Sequence, residues 1–337
     1  MVYSPTGSGN IHFDQILSNI SLGYDQVGEF ISEQIAKVVT VKKQTDKYYV
    51  HGRESWVPEG SDYRAPGTVA NEIPGIEVAL DTYYAQEHAL QTPVTDEERQ
   101  NADSPFNPDS DATELVTRKI LMGRELAVQK LVSNIANYAS GLSKALTAAT
   151  QWDNYASATS DPIAEIRNAK LRVHNRSYVD FNTAVIPYVV MHYLTDHPKI
   201  IERIKYTDRA ILTPELVASL MGLQGVVVPG MPVGNIYGAS NFNFTSSYLW
   251  GDDVILAWVP KKAGLKTPAF MYEFVWTDGG GAMRVDRWRE EQRRADIVRA
   301  SRRYDHKFIG VETDPLSADY GKSIVAFIIK DVLSPTA

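Results

Sequence analysis

The sequence predicts an α+β fold in which an arm and a β-hairpin precede one long helix and a mixed half of helices and strands. Three observations support this prediction. Residues 37–51 and 76–81 are rich in residues that favour strands, and a long loop separates them. A helical pattern runs from about Ala112 to Ala139. Helix starts and short apolar runs then alternate between residues 153 and 260, which is typical of helices that cover a mixed sheet.

Composition and charge restrict the classes of protein. The chain has 337 residues, of which 44% are apolar and 22% charged, so it can bury a core and form two subdomains. Its net charge of -7 argues against tight, general binding to nucleic acid, which needs a basic face. The absence of cysteine excludes disulfides, thiolate nucleophiles and sulfur-ligated metals. With neither a signal-like start nor a run of about 18 apolar residues, the sequence predicts a cytosolic protein that does not enter a membrane.

The N-terminal part predicts an arm and a projecting finger. Apolar positions between Phe13 and Ala36 fit short amphipathic helices without a core of their own, so we expect this arm to pack on something else. Residues 37–51 predict strand, with a turn at Thr45–Lys47. Residues 76–81 alternate between apolar and polar side chains, the period of a strand. The two strands together predict a two-stranded finger.

The loop between these strands is unusually long. Residues 52–74 contain three prolines and three glycines, with isolated aromatic residues at Trp56 and Tyr63. Loops of this length inside compact domains are usually functional or bound to a partner. We therefore expect the loop to carry contacts to another molecule.

An acidic stretch leads into the long helix. Residues 95–114 hold seven acidic residues and one basic residue, and their two prolines interrupt any continuous helix. The spacing of Asp111 and Glu114 predicts an N-cap, with the helix beginning at Ala112. About 28 residues would span roughly 42 Å. Since its apolar surface is wide, this helix is predicted to be a strut with contacts on more than one side.

The second half predicts helices that start at proline and short buried strands. Helices are expected after Asp161 and His197 and at Thr213. Residues 183–194 are expected to form a buried strand that runs into a short helix, and further strands are expected at 225–230, 253–260, 269–277 and, rich in arginine, 284–303. Met191, Tyr193, Trp258 and Trp276 are interpreted as core residues.

The patterns of common catalytic sites are missing from the sequence. His192 and His197 lack the glutamate that a zinc site on a helix needs. The glycines at 279–281 lack the lysine and hydroxyl residue of a phosphate-binding loop, and a hairpin turn is the preferred interpretation. We therefore predict no catalytic, cofactor-binding or metal-binding residues, no cofactor and no enzyme activity.

Three runs carry a resemblance to a known family. They are TAVIPYVVMHYLTDHPKIIERIKY (183–206), LTPELVASLMGLQGVVVP (212–229) and WGDDVILAWVPKKAG (250–264). In this order they resemble the central domain of tailed-phage major capsid proteins of the Hong Kong 97 fold, in which a helix ending in Leu-x-x-His-Pro precedes a second helix, a short valine-rich strand and a Trp-Gly-x-Asp segment. The upstream finger and strut resemble the extended loop and spine helix of that family.

The resemblance implies a domain organisation and a function. It implies an N-terminal arm (1–37), an extended loop (38–92), a peripheral domain with the spine helix (93–152), an axial domain (153–265), peripheral strands (266–315) and a C-terminal axial strand (316–337). It also implies that copies form pentamers and hexamers of an icosahedral shell around packaged double-stranded DNA. Portal and scaffolding proteins are the implied partners, and the implied location is the virion, with assembly in the host cytoplasm.

Charge patterns add a hypothesis about assembly. Residues 284–307 carry nine basic and five acidic residues, a net charge of +4, whereas residues 95–114 carry -6. Such complementary patches select the register between subunits; alternatively, they are a solvated strand face and an unrelated acidic loop. The candidate contact residues between subunits are Trp56, Tyr63, Arg64, Asp96, Glu97, Glu98, Arg293 and Arg294.

Two other functions stay open at this point. A cellular nanocompartment shell protein of the encapsulin type shares the implied fold and would enclose enzyme cargo instead of DNA. A cytosolic α+β enzyme with a mobile lid would form a small oligomer instead of a closed shell. The contents and the size of purified particles separate the three functions.

Overall fold

The chain forms two main sheets joined by a long helix. The computed structural model describes residues 12–13, 30–50, 63, 66–69, 79–103, 107–205, 212–234, 246–264, 267, 269–277 and 282–334. The predicted arm (1–37) and loop (52–74) therefore lie largely outside the described residues. Among the helices of the described ranges, none has the length and apolar character needed to cross a membrane.

Seven α-helices and fifteen strands lie in the described residues. The helices are α1 (Ser32–Ile35), α2 (Asp96–Asn101), α3 (Pro108–Val132), α4 (Pro162–Ser177), α5 (Tyr188–Thr195), α6 (Pro198–Ile204) and α7 (Pro214–Met221). The strands are β1 (His12–Phe13), β2 (Ala36–Val41), β3 (Thr45–Val50), β4 (Ala79–Tyr84), β5 (Gln86–Thr95), β6 (Ser143–Ala145), β7 (Thr183–Val185), β8 (Gly225–Val227), β9 (Pro232–Gly234), β10 (Ser246–Tyr248), β11 (Val254–Ala257), β12 (Met271–Trp276), β13 (Arg284–Glu290), β14 (Ala295–Phe308) and β15 (Ala326–Lys330).

The long helix α3 begins and ends earlier than predicted. Asn107 is its N-cap, with Pro108 in the first turn, where the fixed φ of proline suits a helix and its missing N–H costs nothing. Asp111 is therefore already inside the helix, and the predicted start at Ala112 is wrong by about one turn. The helix ends at Val132 because the backbone leaves the helical region at Asn134. The Tyr138 hydroxyl then donates to the Val132 carbonyl (2.6 Å), which satisfies a helix-end acceptor.

The acidic stretch before α3 contains a helix that was not predicted. The Thr95 hydroxyl accepts a hydrogen bond from the Glu98 N–H, and the Glu98 carboxylate accepts one from the Thr95 N–H. This reciprocal capping box starts α2. The Thr-x-x-Glu spacing is present in the sequence and could have indicated this helix.

The larger sheet is built around β14. Its order is β1-β13-β14-β12-β2, and β5 also pairs with β14. Tyr304 pairs with both Gln86 and Val275, so β5 lies on one edge of β14, while β12 and β13 follow each other along the opposite edge. The strands that flank residues 279–281 are both antiparallel to β14 and do not pair with each other. The predicted hairpin turn at Gly279–Gly281 is therefore wrong, although these glycines themselves lie outside the described residues.

Two further strand predictions need correction. The arginine-rich segment 284–303 is not one strand, because the chain reverses after β13 through Glu291–Arg293 and Arg294, whose φ is 47°. Nor does a turn lie at Thr45–Lys47: residues 42–44 form the bend, and Thr45 already begins β3.

The smaller sheet has the order β6-β15-β11-β7-β8. The predicted helices of this half are confirmed: Asp161 caps α4 through the Ala164 N–H (2.9 Å), and Thr213 caps α7. Strands β7, β8 and β11 also lie within the predicted runs. The residues of β11 are completely buried or nearly so, as expected of a central strand between two layers.

Pairing of strands crosses some of the predicted domain boundaries. β2 pairs with β12 and β5 pairs with β14, so segments assigned to the arm and extended loop belong to the larger sheet. β6 pairs with β15 in the smaller sheet, although it falls in the predicted peripheral domain. The division into domains remains a prediction.

The long helix packs on both sheets. Val128 and Val132 belong to the core of the smaller sheet, whereas Val116 and Ile120 pack with residues of β5, β13 and β14. This two-sided packing agrees with the predicted strut. Of the four predicted core residues Met191, Tyr193, Trp258 and Trp276, Met191 is buried and the other three are only partly buried.

Candidate functional site

The base of the predicted finger is an antiparallel ribbon of β3 and β4. Side chains alternate between its two faces, because opposite residues of an antiparallel pair lie on the same side. On the inner face, the ring of Tyr83 stacks on that of Phe274 at 4.6 Å. On the outer face, Tyr49 lies opposite Leu80, and both side chains are about half exposed. The ribbon is therefore fixed to its own subunit and presents Tyr49 and Leu80 outward.

The described part of the predicted finger packs on the body of the subunit. The inner face of the ribbon is buried against β12 and the segment after β14, because Tyr48, Val50 and Tyr83 alternate toward the body. Of the contact residues predicted in the finger, Trp56 and Arg64 lie outside the described residues, and Tyr63 is 74% exposed.

A groove lies between the ribbon and α3. One cavity of about 380 Å³ is lined by Tyr48, Leu80, Leu131 and Tyr320, among other residues. A second, of about 500 Å³, is lined by residues that include Tyr84, His88 and Tyr304. The two cavities share Leu131, His306 and Lys307, so they are neighbours, and we refer to them together as the groove beside α3.

Charges of the acidic stretch pair with the arginine-rich hairpin of the same chain. Arg289 donates to both oxygens of Asp96 at 2.6 Å, and this contact lowers the pKa of Asp96. Arg99 contacts Asp109 (2.6 Å) and Asp296 (2.7 Å). Part of the charge complementarity that the sequence predicts between subunits is therefore used within one chain.

The other predicted charged contacts are more exposed. Glu97 is exposed, whereas Glu98 is engaged in the cap of α2. Arg293 is 60% exposed and lies 3.5 Å from Glu290. Arg294 is exposed at the tip of the β13–β14 hairpin. A contact of these residues with a neighbouring chain remains a prediction.

A buried charge cluster joins α3 to the larger sheet. Glu273 of β12 is fully buried and accepts hydrogen bonds from Arg124 of α3 (3.0 Å) and Arg302 of β14 (3.0 Å). Arg124 also contacts Glu33 of α1 at 2.9 Å. Burial alone raises the pKa of Glu273, but Arg302 and Arg124 outweigh it and hold this pKa below its usual value of 4.5. Two guanidinium groups thus depend on one fully buried carboxylate.

The next residue of α3 makes the second half of this junction. Glu125, also fully buried, accepts hydrogen bonds from the N–H groups of Ile31 (3.2 Å) and Ser32 (2.9 Å). It accepts a third from the Trp250 indole (2.9 Å). Arg124 and Glu125, which are adjacent on α3, therefore contact residues 31–33 at the root of the arm, the larger sheet, and Trp250, which precedes β11.

Sequence reasoning missed this junction. Arg124 and Glu125 occupy the helical positions that continue the apolar face of Leu121, Val128 and Val132. Charged residues at such positions indicate buried, paired charges, and this signal was available in the sequence.

His197 and His192, the two histidines with a spacing near that of a zinc site, differ in burial and contacts. His197 is buried, lies 3.1 Å from the Ser160 hydroxyl and accepts a hydrogen bond from the Lys199 N–H, whereas His192 is exposed. Within the described part of the chain, the acidic, histidine and cysteine side chains form no group that could hold a metal ion.

Comparison with known proteins gives two close relatives by sequence. No family model matches the chain. The chain is 30% identical over 255 residues to the major capsid protein of Burkholderia phage BcepMu, covering 74% of this chain and 78% of that protein. It is 30% identical over 219 residues to the major capsid protein of Pseudomonas phage JBD67, covering 64% and 67%.

Solved structures share the fold over almost the whole chain. A phage-related protein from Bordetella bronchiseptica RB50 gives a TM-score of 0.71 at 21% identity, covering 97% of this chain and 99% of that one. The capsid of Cyanophage P-SCSP1u gives 0.55 at 10% identity, covering 98% and 92%. A virus-like particle from Pyrococcus furiosus gives 0.52 at 13% identity, covering 94% and 99%. At these identities the likeness concerns the fold alone.

Proposed function

The chain belongs to the family of phage major capsid proteins and has the Hong Kong 97-type fold, and from this premise we propose that its copies assemble into pentamers and hexamers of an icosahedral shell. The observation that carries the proposal is the similarity to the BcepMu major capsid protein over three quarters of the chain. The shell encloses packaged double-stranded DNA. The protein acts as structural material of the virion and catalyses no reaction.

Surfaces of the subunit support assembly. The outer face of the ribbon exposes Tyr49, Leu80 and Tyr84, and apolar patches of this kind are typical of surfaces that another protein covers. The groove beside α3 offers a binding surface for an extended segment. We place residues 52–74 of a neighbouring copy over this region, with Trp56, Tyr63 and Arg64 as contacts.

The net charge supports a loose relation to the enclosed DNA. With 34 basic and 41 acidic residues, the chain as a whole is repelled by phosphates. The shell therefore encloses DNA without tight, sequence-specific contact. Portal and scaffolding proteins are the proposed partners, and assembly takes place in the host cytoplasm.

The nanocompartment alternative rests on the implied fold alone, whereas both relatives at 30% identity are phage capsid proteins. The phage shell is therefore the better-supported function. Particles that contain a defined enzyme instead of DNA would favour the nanocompartment.

Size-exclusion chromatography and negative-stain microscopy of the expressed protein test the proposal. The expected result is closed particles that elute far ahead of a monomer. Replacing Trp56 or Tyr63 by serine is expected to impair assembly but preserve the circular-dichroism signal of the subunit. Tyr178→Asn is a matched control, because it removes an aromatic residue of similar exposure (58%) at a left-handed position (φ 57°) that asparagine tolerates.

A small soluble oligomer in place of particles would contradict the proposal. Loss of the circular-dichroism signal in the Trp56 or Tyr63 variants would show that these residues stabilise the subunit itself. Equal impairment in the Tyr178→Asn control would show that assembly does not depend on the predicted loop in particular.

A further inference from the structure

The root of the N-terminal arm is held by one buried carboxylate. α1 has only four residues, and a helix of this length has no stability of its own. Its first two N–H groups, those of Ile31 and Ser32, both donate to Glu125. The Trp250 indole donates to the Glu125 oxygen that also accepts from Ile31. Removing this acceptor would leave three donors of two chain segments without a partner.

We propose that Glu125 is a proton-sensitive latch: as a carboxylate it fixes the arm root, residues 31–36, to α3 and to Trp250, and on protonation it loosens the arm root. The inference concerns a single subunit and holds whether or not copies form a shell.

The geometry explains why one proton is enough. A carboxylate is a pure acceptor and can serve three donors, but a carboxyl group carries an O–H donor of its own. The new O–H competes with the N–H groups already directed at the same two oxygens. The Ser32 hydroxyl, buried beside this carboxylate, also lowers the pKa of Glu125. It therefore favours the charged form, as the N–H donors do.

Burial sets the direction of the titration. Burial raises the pKa of Glu125, and the hydrogen bonds from Ser32, Ile31 and Trp250 only partly oppose this effect. The latch therefore takes up its proton at a higher pH than an exposed glutamate does. The latch is closed in the carboxylate form and opens as the pH falls through this raised pKa.

Charged groups of three other elements surround this junction. Arg124, on the same helix, is bound to Glu33 of α1 and Glu273 of β12. On β14, Arg302 also contacts Glu273. His306 lies 3.9 Å from Glu273, and burial lowers its pKa to about 4. The pKa of Glu273 is lowered, whereas that of Glu125 is raised, so Glu125 takes up its proton before Glu273 as the pH falls.

Hydrogen exchange of the full-length chain tests the latch. Exchange of the amides of residues 31–36 is followed by mass spectrometry at about pH 7.5 and about pH 4, the latter below the usual pKa of glutamate, with correction for the intrinsic pH dependence of exchange. In the unaltered protein, protection of these amides is expected to fall about tenfold at the lower pH, as for the loss of one hydrogen bond to a charged group. In Glu125→Gln, which keeps an acceptor but cannot titrate, protection is expected to be the same at both pH values.

A second variant keeps the test decisive if Glu125→Gln does not fold. Ser32→Ala removes a hydroxyl that lowers the pKa of Glu125 and keeps both backbone N–H donors, so the loss of protection is expected to shift to higher pH. The proposal is overturned if protection in the unaltered chain does not change with pH. It is equally overturned if Glu125→Gln retains the full change, or if Ser32→Ala leaves the midpoint where it was.

Discussion

Replacing Glu273 by glutamine tests whether the buried charge cluster holds α3 to the larger sheet. Glutamine has the same shape but no charge, and it can serve only part of the donors that face Glu273. Arg124 is 2% exposed and Arg302 6%, so neither guanidinium can turn to water. The variant would leave two buried positive charges side by side, with only the half-exposed Glu33 nearby.

The size of the effect follows from this geometry. Removing one partner of a buried ion pair costs about 3–5 kcal/mol, since the remaining charge stays buried without compensation. With an unfolding entropy of about 2.1 cal/mol/K per residue, a chain of 337 residues should melt roughly 4–7 °C lower. Glu33→Gln is the matched control: its side chain is 50% exposed, and loss of an exposed pair costs at most about 1 kcal/mol.

Thermal unfolding of unassembled subunits, followed by circular dichroism at about pH 7, measures both variants. Because the pKa of Glu273 is lowered below 4.5, its contribution is complete above that pH and is lost only as the pH falls further. The reasoning would be refuted if Glu273→Gln melted within about 1 °C of the unaltered protein, or if Glu33→Gln lost as much stability as Glu273→Gln.

Three further predictions concern packing, pH and assembly. At Gly310 a Cβ atom would lie 2.6 Å from a valine methyl group, so Gly310→Ala should lower the free energy of unfolding by about 1–3 kcal/mol. Gly123 lies on α3 with open space around it, so Gly123→Ala should raise the free energy of unfolding by about 0.5–1 kcal/mol. Urea unfolding measures both variants, and the reverse order of stabilities would contradict this prediction. Burial lowers the pKa of His306 to about 4, so the unfolded chain takes up a proton at higher pH than the folded one. The free energy of unfolding should therefore fall by about 3 kcal/mol as the pH falls from about 6.5 to about 4. His306→Gln should remove this slope, and an unchanged slope would exclude His306 as its source. Reversing Arg293 and Arg294 to glutamate should impair assembly at low and moderate salt, and normal particles at both would end the proposed role of these residues between subunits.

Local signals in the sequence were sufficient for the second half of the chain. The helices after Asp161, His197 and Thr213 begin where proline and a capping side chain coincide. These effects act within three or four residues, so no knowledge of the fold is needed. At the start of α3 a capping side chain and a proline also coincide, at Asn107 and Pro108. The prediction rests on Asp111 instead, because its spacing to Glu114 fits a capping box.

Features that depend on distant partners could not be predicted in this way. The donors to Glu125 lie 94, 93 and 125 residues away in the sequence, and Glu273 lies 149 residues from Arg124. The reversal at Arg294 has neither glycine nor proline, although Arg294 takes a left-handed conformation. It is stabilised by the pairing of β13 with β14, which the local sequence does not show.

The predicted site was recovered only in part. The ribbon was expected from the alternation of residues 76–81, and β4 continues it to Tyr84. The use of Asp96 within its own chain was not expected, because the charge count of two segments does not tell whether they meet in one subunit or between two. Strand pairing decides this, since β5 places the start of α2 beside the β13–β14 hairpin.

Cryo-electron microscopy of the purified particles tests the central claim most directly, because it locates residues 52–74 relative to the subunit to which they belong. We expect closed shells of pentamers and hexamers in which this segment lies over a neighbouring copy, along the groove beside α3. A segment 52–74 that folds back onto its own subunit, or a protein that yields only small oligomers, would contradict the account.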